Sequence, residues 1–267
     1  MTLSTEVTLG AALLTSLVIT YISIPTLVKV AKAKGLYDVP GIRKSHSSKI
    51  PTLGGVAIFA SLLITLSIFI DFGSSQELKF LIAAITMIFF VGIKDDILVI
   101  APDKKLIVEL IAAAIIVYLG DLRITSLHGF FGITDIPYVV SFLLSVFVII
   151  VVLNGMNLID GIDGLASGVG IVASFTFGTW FYLAGNIPYA IISLAVVGAL
   201  LAFIRFNIYH GQYKIFMGDT GSLIIGLLLA VMAIKFNQLN MHNLAAYQLY
   251  SSRSEEHTSE LQSLLII

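Results

Sequence analysis

Eight apolar runs, each close to the length of a membrane crossing, constrain this chain more than any other feature. A helix needs roughly 17–25 apolar residues to span the hydrocarbon layer. The runs fall at about 8–28, 53–70, 78–93, 106–119, 137–153, 166–184, 189–204 and 221–236. Backbone groups in lipid must be satisfied inside their own segment, so runs of this length select helices. Only 12% of the residues are charged, against roughly 25% in soluble domains. The expected fold is all-α: a polytopic integral membrane bundle of about eight transmembrane helices. Met1–Glu6 carries no Lys or Arg, unlike the basic start of a cleaved signal, so the first run reads as a retained span. The chain has no cysteine, which excludes disulfide and thiolate chemistry.

The polar connections alternate between two sides. One side carries 29–52, 94–105, 154–165 and 205–220, with Lys29, Lys32, Lys34, Arg43, Lys44, Lys49, Lys94, Lys104, Lys105, Arg205 and Lys214. The other carries Lys79, Arg123, Lys235 and Arg253. Eleven against four predicts that the first side is cytoplasmic and the N-terminus outside. Every acid-rich or glycine-rich cluster falls on that same side.

The densest cluster is Asn154-Gly-Met-Asn157-Leu-Ile-Asp160-Gly-Ile-Asp163-Gly164. Its amides and acids recur every three residues, so helical turns would set neighbours on one side. Gly155, Gly161 and Gly164 argue instead for broken helix and backbone close to a ligand. A polar turn with Asp163 capping the next helix is the plain alternative. Asp95 and Asp96 close the third run, where the negative end of the helix dipole disfavours acids. They are better placed to hold a cation or Lys94. Glu109 lies four residues after Lys105, and the two are expected to neutralise each other. Arg43-Lys44-Ser45-His46, followed by Gly54-Gly55 entering a helix, suits a phosphate-bearing ligand. Phe216-Met-Gly-Asp219-Thr-Gly-Ser222 opens the eighth run. Free N–H groups there suit phosphate, and Phe216 offers a stacking face for a base. His128 reads as a solvated loop residue. Apolar periodicity restarts at Asn243–Tyr250, and the polar stretch 251–267 reads as a non-native tail, leaving residues 1–250 as one membrane-embedded domain. The expectation is that the natural protein continues beyond it.

Hard oxygen ligands, phosphate-suited cations and a membrane-surface position point to Mg²⁺-assisted phosphoryl transfer with one lipid substrate. Arg43-Lys44-Ser45-His46 with Pro51-Thr-Leu-Gly-Gly55, Asp95-Asp96, the Asn154–Gly164 cluster and Phe216–Ser222, in that order, resemble the polyprenyl-phosphate N-acetylhexosamine-1-phosphate transferases. Those include undecaprenyl-phosphate N-acetylglucosamine-1-phosphate transferases and phospho-N-acetylmuramoyl-pentapeptide transferases. The resemblance implies a multi-pass bacterial inner-membrane enzyme that moves a sugar-1-phosphate from a UDP-sugar to undecaprenyl or another polyprenyl phosphate. UMP is released and cell-envelope polysaccharide synthesis begins.

The resemblance also implies Mg²⁺, with Mn²⁺ able to substitute, no nucleic acid, and room for a homodimer. It gives Asp219 the metal, with Asp95 and Asp96 as further candidate ligands beside the lipid phosphate. Lys105 stands next to that pair. Phe216 stacks on uracil. Asn154, Asn157, Asp160 and Asp163 bind nucleotide, and Lys49, Arg43 and His46 bind substrate. Pro51-Thr-Leu-Gly-Gly55, with no Gly-Thr before it, sits closer to the N-acetylglucosamine branch. The family's later histidine-rich loop is not in this chain, so an inactive fragment is an alternative. An ion-coupled transporter is another, but it would place acids in mid-span and on both faces.

Overall fold

The computed structural model describes residues 4–37, 50–73, 75–98, 100–132, 134–209 and 211–240. Arg43, His46, Lys49, the Asn243–Tyr250 restart and the 251–267 tail lie outside them. The described elements are all helical. They are α1 (Thr5–Lys34), α2 (Gly54–Phe69), α3 (Glu77–Leu98), α4 (Pro102–Ala114), α5 (Tyr138–Ile159), α6 (Leu165–Leu183), α7 (Ile187–Ile208) and α8 (Gly218–Asn240). A π-helical turn, Ile115–Leu119, prolongs α4. The eight expected runs are thus eight helices. Helices α1, α5, α6, α7 and α8 are each long and apolar enough to cross a membrane. Helix α2 is a shorter apolar helix, and α3 carries Lys79, Lys94, Asp95 and Asp96.

Two of these helices, α7 and α8, form the centre. Helix α7 packs against α1, α2 and α6, and α8 lies almost wholly inside. The outer helices invert the soluble pattern. Leu14, Val18 and Ile22 of α1, Leu143 and Phe147 of α5, and Val172 and Phe175 of α6 are exposed. Ser16, Thr20, Ser61, Ser141, Ser145 and Ser174 are buried. In lipid, small and hydroxylated residues belong at helix contacts and large apolar ones outside. The Thr20 hydroxyl, for example, donates to Ser61 at 2.8 Å and ties α1 to α2. The protein is therefore a multi-pass membrane protein.

Glycine explains how tightly the start of α8 is held. A Cβ on Gly55 would lie 2.2 Å from the Gly221 nitrogen, and one on Gly92 would lie 2.5 Å from Thr220 Cα. Bare backbones of α2, α3 and α8 therefore touch. The N–H groups of Gly54 and Gly55 donate to Phe216 and Met217 carbonyls at 3.0 and 2.8 Å. The glycine pair that suggested a phosphate cradle is thus a backbone clasp between helices, with its donors already used.

Two further expectations change. Helix α5 continues through Asn154, Gly155 and Asn157 to Ile159. A glycine costs a helix about 1 kcal/mol, and the burial of Leu153 and Met156 outweighs that. The break comes at 160–164, where Gly164 adopts φ 77°. Asp163 does not cap α6, whose start shows no side-chain cap. Buried Asn207 holds that turn instead. Its oxygen accepts from the Gly164 N–H at 2.6 Å, and its amide donates to the Ile215 carbonyl at 3.1 Å.

At the opposite end, Lys235 pairs with Glu77. Loop 120–136 is tied to α8 by Gln238, which donates to the Asp121 carbonyl at 2.9 Å. Exposed His128 is 3.0 Å from Asn237, so it is a contact of this tie rather than simply solvated.

Candidate active site

The N-terminus of α8 gathers the acids. Gly218 enters at φ 72°, and a Cβ there would strike the Thr52 carbonyl at 2.3 Å and the Asp96 carboxylate at 2.6 Å. The first N–H groups of a helix lack partners within it and carry partial positive charge. Here they are taken by side chains of this same chain. Asp96 Oδ1 accepts from the Asp219 N–H at 2.8 Å. Asp96 Oδ2 accepts from the Thr220 N–H at 3.1 Å and from the Thr220 hydroxyl. The Gly218 N–H serves Asp160. The helix start that suggested free donors for phosphate is therefore filled by carboxylates. The dipole also explains why an acid at the unfavourable end of α3 is tolerated: it sits against the favourable end of α8.

The second member of the pair faces elsewhere. Asp95 Oδ1 accepts from the Ile100 N–H at 2.6 Å, and its Oδ2 pairs with Lys105 at 3.1 Å. The same ammonium bonds Asp219. Lys105 thus bridges Asp95 and Asp219 and does not neutralise Glu109, as the four-residue spacing had suggested. Glu109 is 1% exposed. Its Oε2 accepts from the Asn154 amide at 2.7 Å. Asn157 donates to Ser222 at 3.0 Å and lies against Asp219.

Asp160 closes the group. Burial pushes its carboxyl up to about 8, and the neighbouring Asp96 and Asp219 charges push the same way. Several carboxylates thus gather around one lysine, and the group favours a proton or a cation. Among the described residues, no three His, Asp or Glu side chains converge into a ready-made metal cage. An ion held here would take one or two carboxylates and complete its shell from a ligand, as Mg²⁺ usually does.

Beside the acids runs loop 211–217. Ile215 and Met217 are buried, and Phe216 between them is half-buried. Lys214 Nζ pairs with Asp163 at 2.6 Å and stands 5.8 Å from the Phe216 ring centroid. A base stacked on Phe216 would have that cation next to it.

Asp95, Asp96, Lys105, Asn154, Asn157, Asp160 and Asp219 thus meet at one end of the bundle. Asp163 and Phe216 flank them through Lys214. Glu109, Lys214, Thr220 and Ser222 join the site without having been singled out for it. Glu109 did have a signal, being an acid inside an otherwise apolar run.

Comparison with known proteins identifies the family. The model of glycosyl transferase family 4 matches residues 78–237. The undecaprenyl-phosphate alpha-N-acetylglucosaminyl 1-phosphate transferase of Escherichia coli strain K12 is 31% identical over 219 residues, covering 80% of this chain and 59% of that protein. The Salmonella typhi protein of the same name is 30% identical over 222 residues, 81% of this chain and 59% of its own length. The phospho-N-acetylmuramoyl-pentapeptide-transferase of Clostridium perfringens is 35% identical over 209 residues, 72% of this chain and 63% of its own. The chain spans about three fifths of the length of these relatives. With the match running from the start of α3 nearly to the end of α8 and enclosing the acid cluster, this chain belongs to glycosyl transferase family 4.

Proposed function

We propose that this chain belongs to an enzyme that transfers N-acetylglucosamine-1-phosphate from its UDP-sugar to a polyprenyl phosphate, with undecaprenyl phosphate as the acceptor. The observation that carries the reading is the Asp95–Lys105–Asp219 bridge at one end of the bundle. A phosphoryl transfer needs positioned charge more than covalent chemistry. In the reaction, a phosphate oxygen of the lipid bonds the β-phosphorus of the UDP-sugar. The bond between that phosphorus and the bridging oxygen breaks, and UMP leaves.

The donor set suits Mg²⁺, since its oxygens are hard and several carboxylates gather around one lysine. Asp219 would hold the ion, with Asp95 or Asp96 as the nearest further carboxylates. When bound, Mg²⁺ neutralises charge on the pyrophosphate. Phe216 stacks on the base and Lys214 stands beside it. Lys105 balances Asp95 and Asp219 while the two anionic substrates approach. Asn154 and Asn157 present carboxamides to the nucleotide from the last turns of α5.

The assay is transfer in membranes expressing the protein, supplied with labelled UDP-N-acetylglucosamine and undecaprenyl phosphate. A labelled lipid with stoichiometric UMP is the expected result. Label entering lipid only from UDP-N-acetylmuramoyl-pentapeptide would move the protein to the branch of the Clostridium relative. Neither product would sink the reading.

The same proposal sets orientation. The Lys and Arg distribution puts the acid cluster in the cytoplasm and the N-terminus outside. Single cysteines at Ser45 or Gly161 of this cysteine-free chain are expected to resist an impermeant thiol reagent in intact cells. Labelling there would reverse the topology.

A further inference from the structure

Glu109 has no role in the chemistry above, yet it is buried beside the acid cluster. It is 1% exposed, and its Oε1 has no hydrogen-bond partner. Burying a carboxylate oxygen without a partner is expensive, and a donor brought to it would offset that cost. Its other oxygen is fixed by Asn154 at 2.7 Å, so the side chain is anchored. The nearest cation in sequence is Lys105, one helical turn earlier on α4. Side chains four apart share a helix face, so Lys105 and Glu109 lie on the same side of α4. Lys105 is at present engaged with Asp95 and Asp219.

A divalent cation arriving at Asp219 would repel that ammonium. Lysine has a flexible four-carbon stem and three donors, so it can change partners without moving the helix. We propose that Glu109 is a positioning residue whose free oxygen receives Lys105 when a cation displaces it from Asp219. Asp95 and Asp219 are then one seat for Lys105, and Glu109 is a second. Asn154 keeps that seat pointed at α4. This inference rests on the reading that Asp219 binds the ion.

The test measures Mn²⁺ binding by electron paramagnetic resonance on the 267-residue chain in nanodiscs, with no nucleotide or lipid phosphate present. Glu109→Gln keeps an oxygen for Asn154 but weakens the seat for an ammonium. It is expected to weaken Mn²⁺ binding about tenfold, the scale of a lost outer partner at a metal site. In a Lys105→Met background no ammonium needs a seat, so the same substitution is expected to change affinity by less than about twofold. An equal loss in both backgrounds would mean that Glu109 acts by general charge or packing, and would overturn the proposal. No loss in either would mean that Lys105 moves to solvent, and would overturn it too. Mn²⁺ binding that survives Asp219→Asn unchanged would instead refute the Asp219 cation site itself. Monodisperse elution and unchanged melting of Glu109→Gln establish that the variant is folded.

Discussion

Asp219→Asn is expected to lower sugar-phosphate transfer by at least about a hundredfold, the scale of losing one charged stabilising group from a phosphoryl-transfer site. The protein should remain folded and membrane-inserted. The substitution keeps the shape of the side chain and an oxygen that accepts from Lys105. It removes the charge that would hold a divalent cation. The start of α8 should survive because its N–H groups are capped by Asp96 and Asp160, not by the Asp219 side chain. Elution from size-exclusion chromatography in detergent checks the fold, and transfer at saturating Mg²⁺ checks the chemistry. Activity within tenfold of the parent would reduce Asp219 to a structural partner of Lys105.

Asp95→Asn should lower transfer substantially, with a loss that stays level from pH 7 upward. Burial pushes the Asp96 carboxyl up to about 7, so the loss in Asp96→Asn should grow as pH rises through 7 and then level off. A phosphate monoester has its second pKa near 6, so above pH 7 the lipid phosphate is already mostly dianionic and needs no base. The hydrogen bonds point the same way. Both oxygens of Asp96 are engaged by α8, and both oxygens of Asp95 by Ile100 and Lys105. A general base needs a lone pair directed at the proton it removes. On the charge-positioning reading proposed for the pair, Asp96 holds the start of α8 and Asp95 holds Lys105. Asp96→Asn should also reduce stability by about 1–2 kcal/mol, the usual cost of a lost helix cap. An amide matches a carboxylate acceptor at only one of its two atoms. Full recovery of either variant as pH rises would restore the base assignment.

The fold was largely legible because bilayer physics acts on run length, and run length is local. All eight expected runs are helices, and their alternation brings the acid-bearing connections to one end. Asp95, Asp96, Asp160 and Asp219 stood out for a related reason: charge is costly beside apolar runs, so each invites explanation from composition alone. What each acid touches was not legible. Spacing paired Lys105 with Glu109, since both sit on one face of α4, yet two carboxylates from α3 and α8 outbid a single one on its own helix. Gly54-Gly55 looked like a phosphate cradle because local sequence shows glycine but not the backbone packed against it. Gly155 looked like a break because its intrinsic cost is local, while the burial of Leu153 and Met156 that offsets it is not. Residue order therefore decided which segments cross the membrane and which polar groups lie at its edge, through the energetics of burying backbone and charge in hydrocarbon. Packing of α2, α3, α4 and α5 around the start of α8 decided which carboxylate caps, which bridges and which is left with an open oxygen, because those choices depend on helix ends that are distant in sequence and adjacent in space.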